Sequence, residues 1–334
     1  VELGVTAPVR IFGIVPPPSS VASDDSDSIT PPARFASLEC GASADVGGFT
    51  VKAPNAVTLE NFEIKNATRT TGGGLFITGD GASATVSNVL VANSKAGGAG
   101  GGIAVADGAD AAFTDVAVVA CAGGADESGN EVRGGGIYVT GASTTTTLTR
   151  FIADTCTLPV ENGKGAGVNI DSGASVTADG LVVKNSISFF AAGIFVGTGC
   201  SPVIRNAVIE NNTATYGAGV ASFAGSFPVL QDCLIKNNQA SEWGGGVLAY
   251  TMSTMTLKNS TVEGNSAQLG GGAHGYVKSV LQIEDGSVVS KNTASLSGGG
   301  VYLNTDATGV FQGESTSVTD NTAADIDGGG GVAI

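Results

Sequence analysis

The chain has 334 residues, with 15 Lys or Arg against 30 Asp or Glu and a formal net charge of −15. That balance argues against a nucleic-acid partner, whose phosphates need basic patches, and the apolar runs are too short to span a membrane. Only 13% of residues are charged while glycine contributes 52, a composition of strands and tight turns rather than helices.

The chain opens on Val1-Glu2-Leu3 without an initiator Met or signal peptide. This reads as a processed or partial product, so the missing targeting segment carries no weight. Pro16-Pro17-Pro18 and Pro31-Pro32 flank an acidic serine run, Ser23 to Ser28. Residues 1–35 are therefore expected to be an extended arm or linker rather than a coil. The arm could reach a neighbouring subunit. Residues 36–62 are expected to start the solenoid with imperfect coils, and residues 36–334 to form one domain.

From Gly72 onward a glycine clamp returns. It reads Gly72-Gly73-Gly74-Leu75, then Gly101-Gly102-Ile103, Gly135-Gly136-Ile137, Ala166-Gly167-Val168 and Ala192-Gly193-Ile194. It continues as Ala218-Gly219-Val220, Gly245-Gly246-Val247, Gly271-Gly272-Ala273, Gly299-Gly300-Val301 and Gly330-Gly331-Val332. From Gly167 to Gly272 the steps are 26, 26, 27 and 26 residues. So regular a period marks a solenoid, in which each unit buries its apolar face against its neighbours. Within one repeat, Val247–Tyr250, Met255–Lys258 and Thr261–Glu263 read as strands between polar turns. The fold class expected is all-β: a right-handed single-stranded parallel β-helix with three short strands per coil and about nine to eleven coils. Nine coils stacked ~4.8 Å apart give a body roughly 45 Å long. A leucine-rich horseshoe lacks its LxxLxL frame here, and a propeller blade is too long for the period.

Alternation after the clamp assigns columns. Leu75, Ile103, Ile137, Val168, Ile194, Val220, Val247, Ala273, Val301 and Val332 should point inward, as should Ile77, Val105, Val139, Ile170, Val196, Leu303 and Ile334, a second column that thins out at Ser222, Ala249 and Gly275. A second marker is an aliphatic-x-x-Asn turn: Leu90 to Asn93, Val182 to Asn185, Ile209 to Asn212, Ile235 to Asn238, Val262 to Asn265, Val289 to Asn292 and Val318 to Asn321. Asn suits left-handed corners, and stacked amides can bond from coil to coil. These Asn residues read as scaffold. This pairing of a Gly-Gly-x-Ile clamp with an aliphatic-x-x-Asn turn resembles the GGxI and FxxN repeats of the chlamydial polymorphic outer-membrane proteins. Similar repeats occur in adhesin-like and algal surface proteins. The resemblance runs from about Glu63 to Ile334, with Ile, Val or Leu standing where that family prefers Phe. It implies a right-handed β-helix with an extracellular adhesive or structural role, and it does not imply an outer-membrane barrel.

Two coils replace the Asn by Cys, at Val118-x-x-Cys121 and Ala153-x-x-Cys156. Stacked neighbours about 5 Å apart come within disulfide reach, so a Cys121–Cys156 bridge is expected, favouring an oxidising compartment. Two buried thiols are the alternative. Cys200 and Cys233 fall at different places in their coils, and Cys40 has no evident partner. The same two coils carry the insertions 122–133 and 157–164. Asp126, Glu127 and Glu131 could hold Ca²⁺, but no EF-hand or RTX pattern accompanies them; no metal or other cofactor is expected.

Outward positions of the post-clamp strand collect aromatics. Two past the clamp stand Phe76, Tyr138, Phe195, His274 and Tyr302; four past it stand Phe223, Tyr250 and Tyr276. Such a stripe marks a contact surface for another subunit or for glycan rings, unless part of the same chain covers it. Sequons at Asn66, Asn211 and Asn259 could carry N-glycans. His274 is the sole histidine and has no Asp pair beside it; no Ser-His-Asp, HExxH or phosphate loop occurs. No catalytic residue is assigned. The function expected is a non-catalytic extracellular or cell-surface protein, a filament, hair, coat or adhesin-stalk subunit that self-assembles or binds other surface proteins or glycans. The alternative is a polysaccharide-binding or polysaccharide-degrading module. The chain stops just after a clamp, which suggests that it continues or is capped by another molecule.

Overall fold

The computed structural model describes residues 48–124, 131–159, 161–325 and 329–334, and the backbone of Glu2–Leu3, Val9–Phe12 and Ala36–Glu39. Among these residues every paired strand is parallel to its neighbour one coil away, as the coil starting at Val247 illustrates. The architecture is the expected parallel β-solenoid, of about ten turns. No helix among the described residues is long and apolar enough to cross a membrane.

The coil starting at Val247 shows the plan. A clamp strand, Val247–Tyr250, is followed by a second strand, Thr254–Lys258, and a third, Thr261–Glu263. A fourth short strand, Ser266–Leu269, precedes the next clamp. The expectation of three strands per coil left this segment as a turn. Its Ser266-Ala267-Gln268-Leu269 run alternates polar and apolar over only four residues, too short to mark a strand alone, and pairing across coils reveals it, with Gln239–Trp243 on one side and Thr293–Ser297 on the other. Clamp strands stack into a 12-stranded sheet.

The two inward columns hold except at their last members, Val332 and Ile334, which are exposed because no further coil among the described residues packs on them. Leu75, Ile103, Ile137, Ile194, Val220, Val247 and Val301 are fully buried, as are Ile77, Val105, Val139 and Val196. Neighbours in each column stand in register, Leu75 with Ile103 and Ile77 with Val105 for example. They join Phe113, Leu148, Phe151, Leu257 and Ile283 in one continuous core along the axis.

At the N-terminus, Glu2–Leu3 lies beside Thr50–Val51, Val9–Phe12 beside Val57–Glu60, and Ala36–Glu39 beside Phe62–Lys65. Glu2–Leu3 and Val9–Phe12 fall within the expected arm, and Ala36–Glu39 within the residues expected to start the solenoid. The proline and acidic-serine stretches, and Cys40, lie outside the described residues.

The clamp and the Asn turn prove to be one device. The first clamp residue takes a left-handed conformation, with φ of 61° at Gly72 and 64° at Gly244. The last lies against the core: a Cβ on Gly246 would stand 2.5 Å from Gly272 O, 2.6 Å from Val262 Cγ1 and 3.0 Å from Asn265 Nδ2. That glycine makes room for the ladder residue. Asn212, Asn238, Asn265, Asn292 and Asn321 form an unbroken amide ladder. Asn238 Nδ2 and its backbone N–H both donate to Asn265 Oδ1, at 3.0 and 2.9 Å. Its Nδ2 also donates to Ile209 O at 3.0 Å, and the pattern repeats from Asn265 to Asn292.

The structure corrects the two earliest members. Ser94 and Ser186 occupy the ladder position, fully buried. Asn93 and Asn185 stand one residue earlier, at the left-handed corner, with φ of 53° and 55°. Two later coils carry Asn at both positions, Asn211-Asn212 and Asn237-Asn238, so corner and ladder look alike in sequence there.

Candidate contact face

Fourth strands end beside the clamp strands of the same coils. The fourth strands Thr213–Tyr216, Gln239–Trp243, Ser266–Leu269 and Thr293–Ser297 each place their last residue just before the left-handed clamp glycine. Cross-coil pairing sets Arg133, Lys164, Phe190, Tyr216, Trp243 and Leu269 in one column. The clamp strand adds two outward columns. One runs Phe76, Ala104, Tyr138, Asn169, Phe195, Ala221, Leu248, His274 and Tyr302. The other includes Asp171, Phe223, Tyr250 and Tyr276. All eight residues of the expected stripe lie on this three-column face. Sequence reading missed its first column, since the fourth strand was taken for a turn; the lone Trp243 one residue before a clamp was the available signal.

Its rings pack chiefly on one another. Phe223 and Tyr250 stack with centroids 5.0 Å apart and planes 9° apart. Tyr250 and Tyr276 stack at 5.3 Å and 26°, and Trp243 stands 5.0 Å from Tyr276 and 4.9 Å from Tyr216. Phe190, Phe195, Ala221 and Leu248 form the buried base of this cluster. Phe223, Tyr250, Tyr276, Tyr216 and Trp243 remain half-buried. The ring faces of Phe223, Tyr250 and Tyr276 are thus used between coils. Burial, and then a hydrogen bond with Glu242, push the Tyr216 phenol up.

Toward the N-terminus the face turns ionic. Arg133 pairs with Asp171 and with Glu131 at 2.9 Å, and Lys164 bonds Glu131 at 2.6 Å. The Lys164 ammonium also lies 5.7 Å over Phe195 and 5.6 Å over Phe223, a cation–π contact joining the two halves. Burial opposes the Arg133 charge, but Asp171, Glu131 and Tyr138 hold it above the usual arginine range. Burial likewise opposes the Glu131 charge, and Lys164 and Arg133 outweigh it. Glu131, a Ca²⁺ candidate, thus serves two cations of its own chain. Asp126 and Glu127 lie outside the described residues, and no metal-ligand cluster occurs among the described ones.

Cys121 and Cys156 do stand on the ladder, as their spacing implied. Cys121 Sγ faces Val91 O at 3.6 Å and Cys156 Sγ faces Val118 O at 3.8 Å, in the places where an Asn amide would donate. Backbone groups of Ser94 and Cys121 lie against the Cys121 and Cys156 sulfurs. Both thiols are free and fully buried, so the expected bridge is not formed. In-register parallel neighbours point their Cβ atoms the same way at ~4.8 Å, wider than the roughly 3.5–4.5 Å a disulfide wants. Burial pushes the Cys121 thiol up to about 12 and Cys156 well above its usual value, leaving both unreactive. Cys200 and Cys233 are also buried and free. The sequon residues Asn66, Asn211 and Asn259 all lie exposed at left-handed corners, with φ of 57°, 55° and 44°.

The family described as right handed beta helix region matches residues 74–306. This supports the repeat fold that the chlamydial resemblance implied, without extending to the chlamydial or algal proteins themselves. No curated protein matches the chain. Among solved structures, the mannuronan C-5 epimerase AlgE4 A-module of Azotobacter vinelandii is similar at a TM-score of 0.42 and 14% identity, over 89% of this chain and 86% of that one. The AlgE6 A-module of the same organism gives 0.25 and 16%, over 89% and 88%. Neither likeness is close enough to carry residue roles across.

Proposed function

This chain belongs to the right-handed β-helix family, and from that premise we propose a non-catalytic structural solenoid of the cell surface. It acts as a filament, coat or adhesin-stalk subunit that packs laterally on copies of itself through the three-column face. The half-exposed stack of Phe223, Tyr250 and Tyr276, continuous with Trp243 and Tyr216, carries this reading. Aromatic area of that kind dominates protein contacts. Charge supports it too. From Thr71 to Asn304 the three columns hold two cations, Arg133 and Lys164, and one carboxylate, Asp171, on a chain whose net charge is −15. Copies can meet there without the repulsion found elsewhere. Exposed sequon corners at Asn66, Asn211 and Asn259 support an extracellular setting.

A polysaccharide-binding or polysaccharide-degrading module remains the second reading, favoured by the Arg133–Glu131–Lys164–Asp171 network beside the rings. Rings that spend their faces on one another offer edges rather than the flat faces on which sugars stack, so protein contact is the better fit. Sedimentation of the wild-type chain and of Tyr250→Ser/Tyr276→Ser, across concentration, tests the choice. Concentration-dependent association that the double variant loses supports self-assembly. A wild-type chain that stays monomeric and gains thermal stability with an oligosaccharide supports the second reading.

A further inference from the structure

One imidazole on this face is buried where nothing receives it. His274 stands in register between Leu248 and Tyr302 and is fully buried. The rings of Tyr302, Trp243 and Tyr276 surround it, with centroids 5.1, 5.7 and 6.0 Å away. Neither Nδ1 nor Nε2 finds a hydrogen-bond partner. A buried polar group without a partner is costly, and a charged one far costlier.

The groups around His274 are phenols, the Trp243 indole and hydrocarbon. Tyr276 lies on its own strand, Leu248 and Tyr250 on the clamp strand before, and Tyr302 on the one after. From the fourth strands come Trp243 and Leu269. Glu242, next to Trp243, is engaged with Tyr216. Burial alone accounts for the depression of the imidazole pKa to about 3; no carboxylate offsets it.

We propose that His274 and Trp243 form an acid-sensitive latch on the C-terminal half of the face: His274 takes a proton only when Trp243 swings off it, so acid opens the aromatic cluster. Solvated, an imidazole titrates near 6.5; covered, this one titrates near 3. The closed latch binds fewer protons than the open one. Its advantage is therefore complete above pH 6.5 and shrinks as pH falls toward 3, by up to about tenfold per pH unit. Trp243 is the weak point of the cover because its strand pairs irregularly just before it, with a register shift between Gln239 and Trp243, whereas the strands of Tyr276 and Tyr302 pair with each other without a shift.

Trp243 is the sole tryptophan of the chain, so its emission reports the latch directly. In wild type, emission should shift with a midpoint between pH 6.5 and 3 while the far-ultraviolet β signal persists. His274→Leu, which copies Leu248 of the same column, should lose that transition. His274→Tyr, which copies Tyr302, serves if the leucine variant fails to fold. A wild-type emission constant down to pH 3, or the same transition in the folded variant, overturns the latch. Acid release of a partner copy follows only if the face is the contact surface proposed above. Failure of the Tyr250→Ser/Tyr276→Ser test would remove that consequence and leave the fluorescence result standing.

Discussion

The coils from Asn212 to Asn321 and those from Ser94 to Ser186 fold on one frame with different ladder chemistry. In the later set, Asn238 and Asn265 each give two donors to the next side-chain oxygen and a third contact to a carbonyl. In the earlier set, Cys121 and Cys156 offer sulfur, a weak donor and weak acceptor, with contacts of 3.6 and 3.8 Å. The earlier set also carries both insertions, 122–133 and 157–164. Where amides lock each coil to the next, length stays nearly fixed; where sulfur and hydroxyl fill the column, the chain tolerates added loops.

That contrast can be broken by substitution. The largest effect is expected from Asn265→Ala. It removes the acceptor of the Asn238 backbone N–H and the donor to Ile235 O. Two buried groups orphaned at about 1–3 kcal/mol each should cost about 3–5 kcal/mol in denaturant unfolding. Gly246→Ala comes next. Its Cβ would press on Gly272 O, Val262 and Asn265 at once, so about 2–3 kcal/mol is expected. Gly225→Ala, with φ of 70° and open space around it, should lose only about 1–2 kcal/mol from left-handed strain. Cys121→Ser in the earlier set should cost under about 1 kcal/mol, because Ser94 and Ser186 already serve in that column. Equal losses for Asn265→Ala and Cys121→Ser would erase the distinction between the two regions. The smallest effect is expected from Asp115→Asn. Arg150 holds the Asp115 carboxyl below its usual range through hydrogen bonds, so the pair stabilises at neutral pH and fades as pH falls through that lowered value. Both groups are exposed, and no resolvable change in melting temperature is expected.

Much of this frame was legible in the chain. Clamp period, inward columns and the outward aromatics follow from alternation counted from each glycine, and the shared position of Cys121 and Cys156 follows from aligning their coils. What stayed hidden depends on neighbours one coil away. Asn93 and Asn185 were one residue off the ladder because Asn serves both at the corner, for its left-handed φ, and in the ladder, for its amide. Trp243 and Tyr216 joined the face through pairing of fourth strands, whose alternation of polar residues with a small Ala is too short to read as a strand alone. The absent disulfide turned on the direction of two Cβ atoms, which spacing alone does not supply.

Hydrogen exchange at the ladder amides tests the common frame most directly. The backbone N–H groups of Asn212, Asn238 and Asn265, each bonded to an amide oxygen at 2.9–3.1 Å, should exchange slowest. Those of Ser94 and Cys121, set against sulfur rather than an amide oxygen, should exchange markedly faster. Equal protection in both sets, or faster exchange at the Asn ladder, would contradict the claim that ladder chemistry separates the two regions.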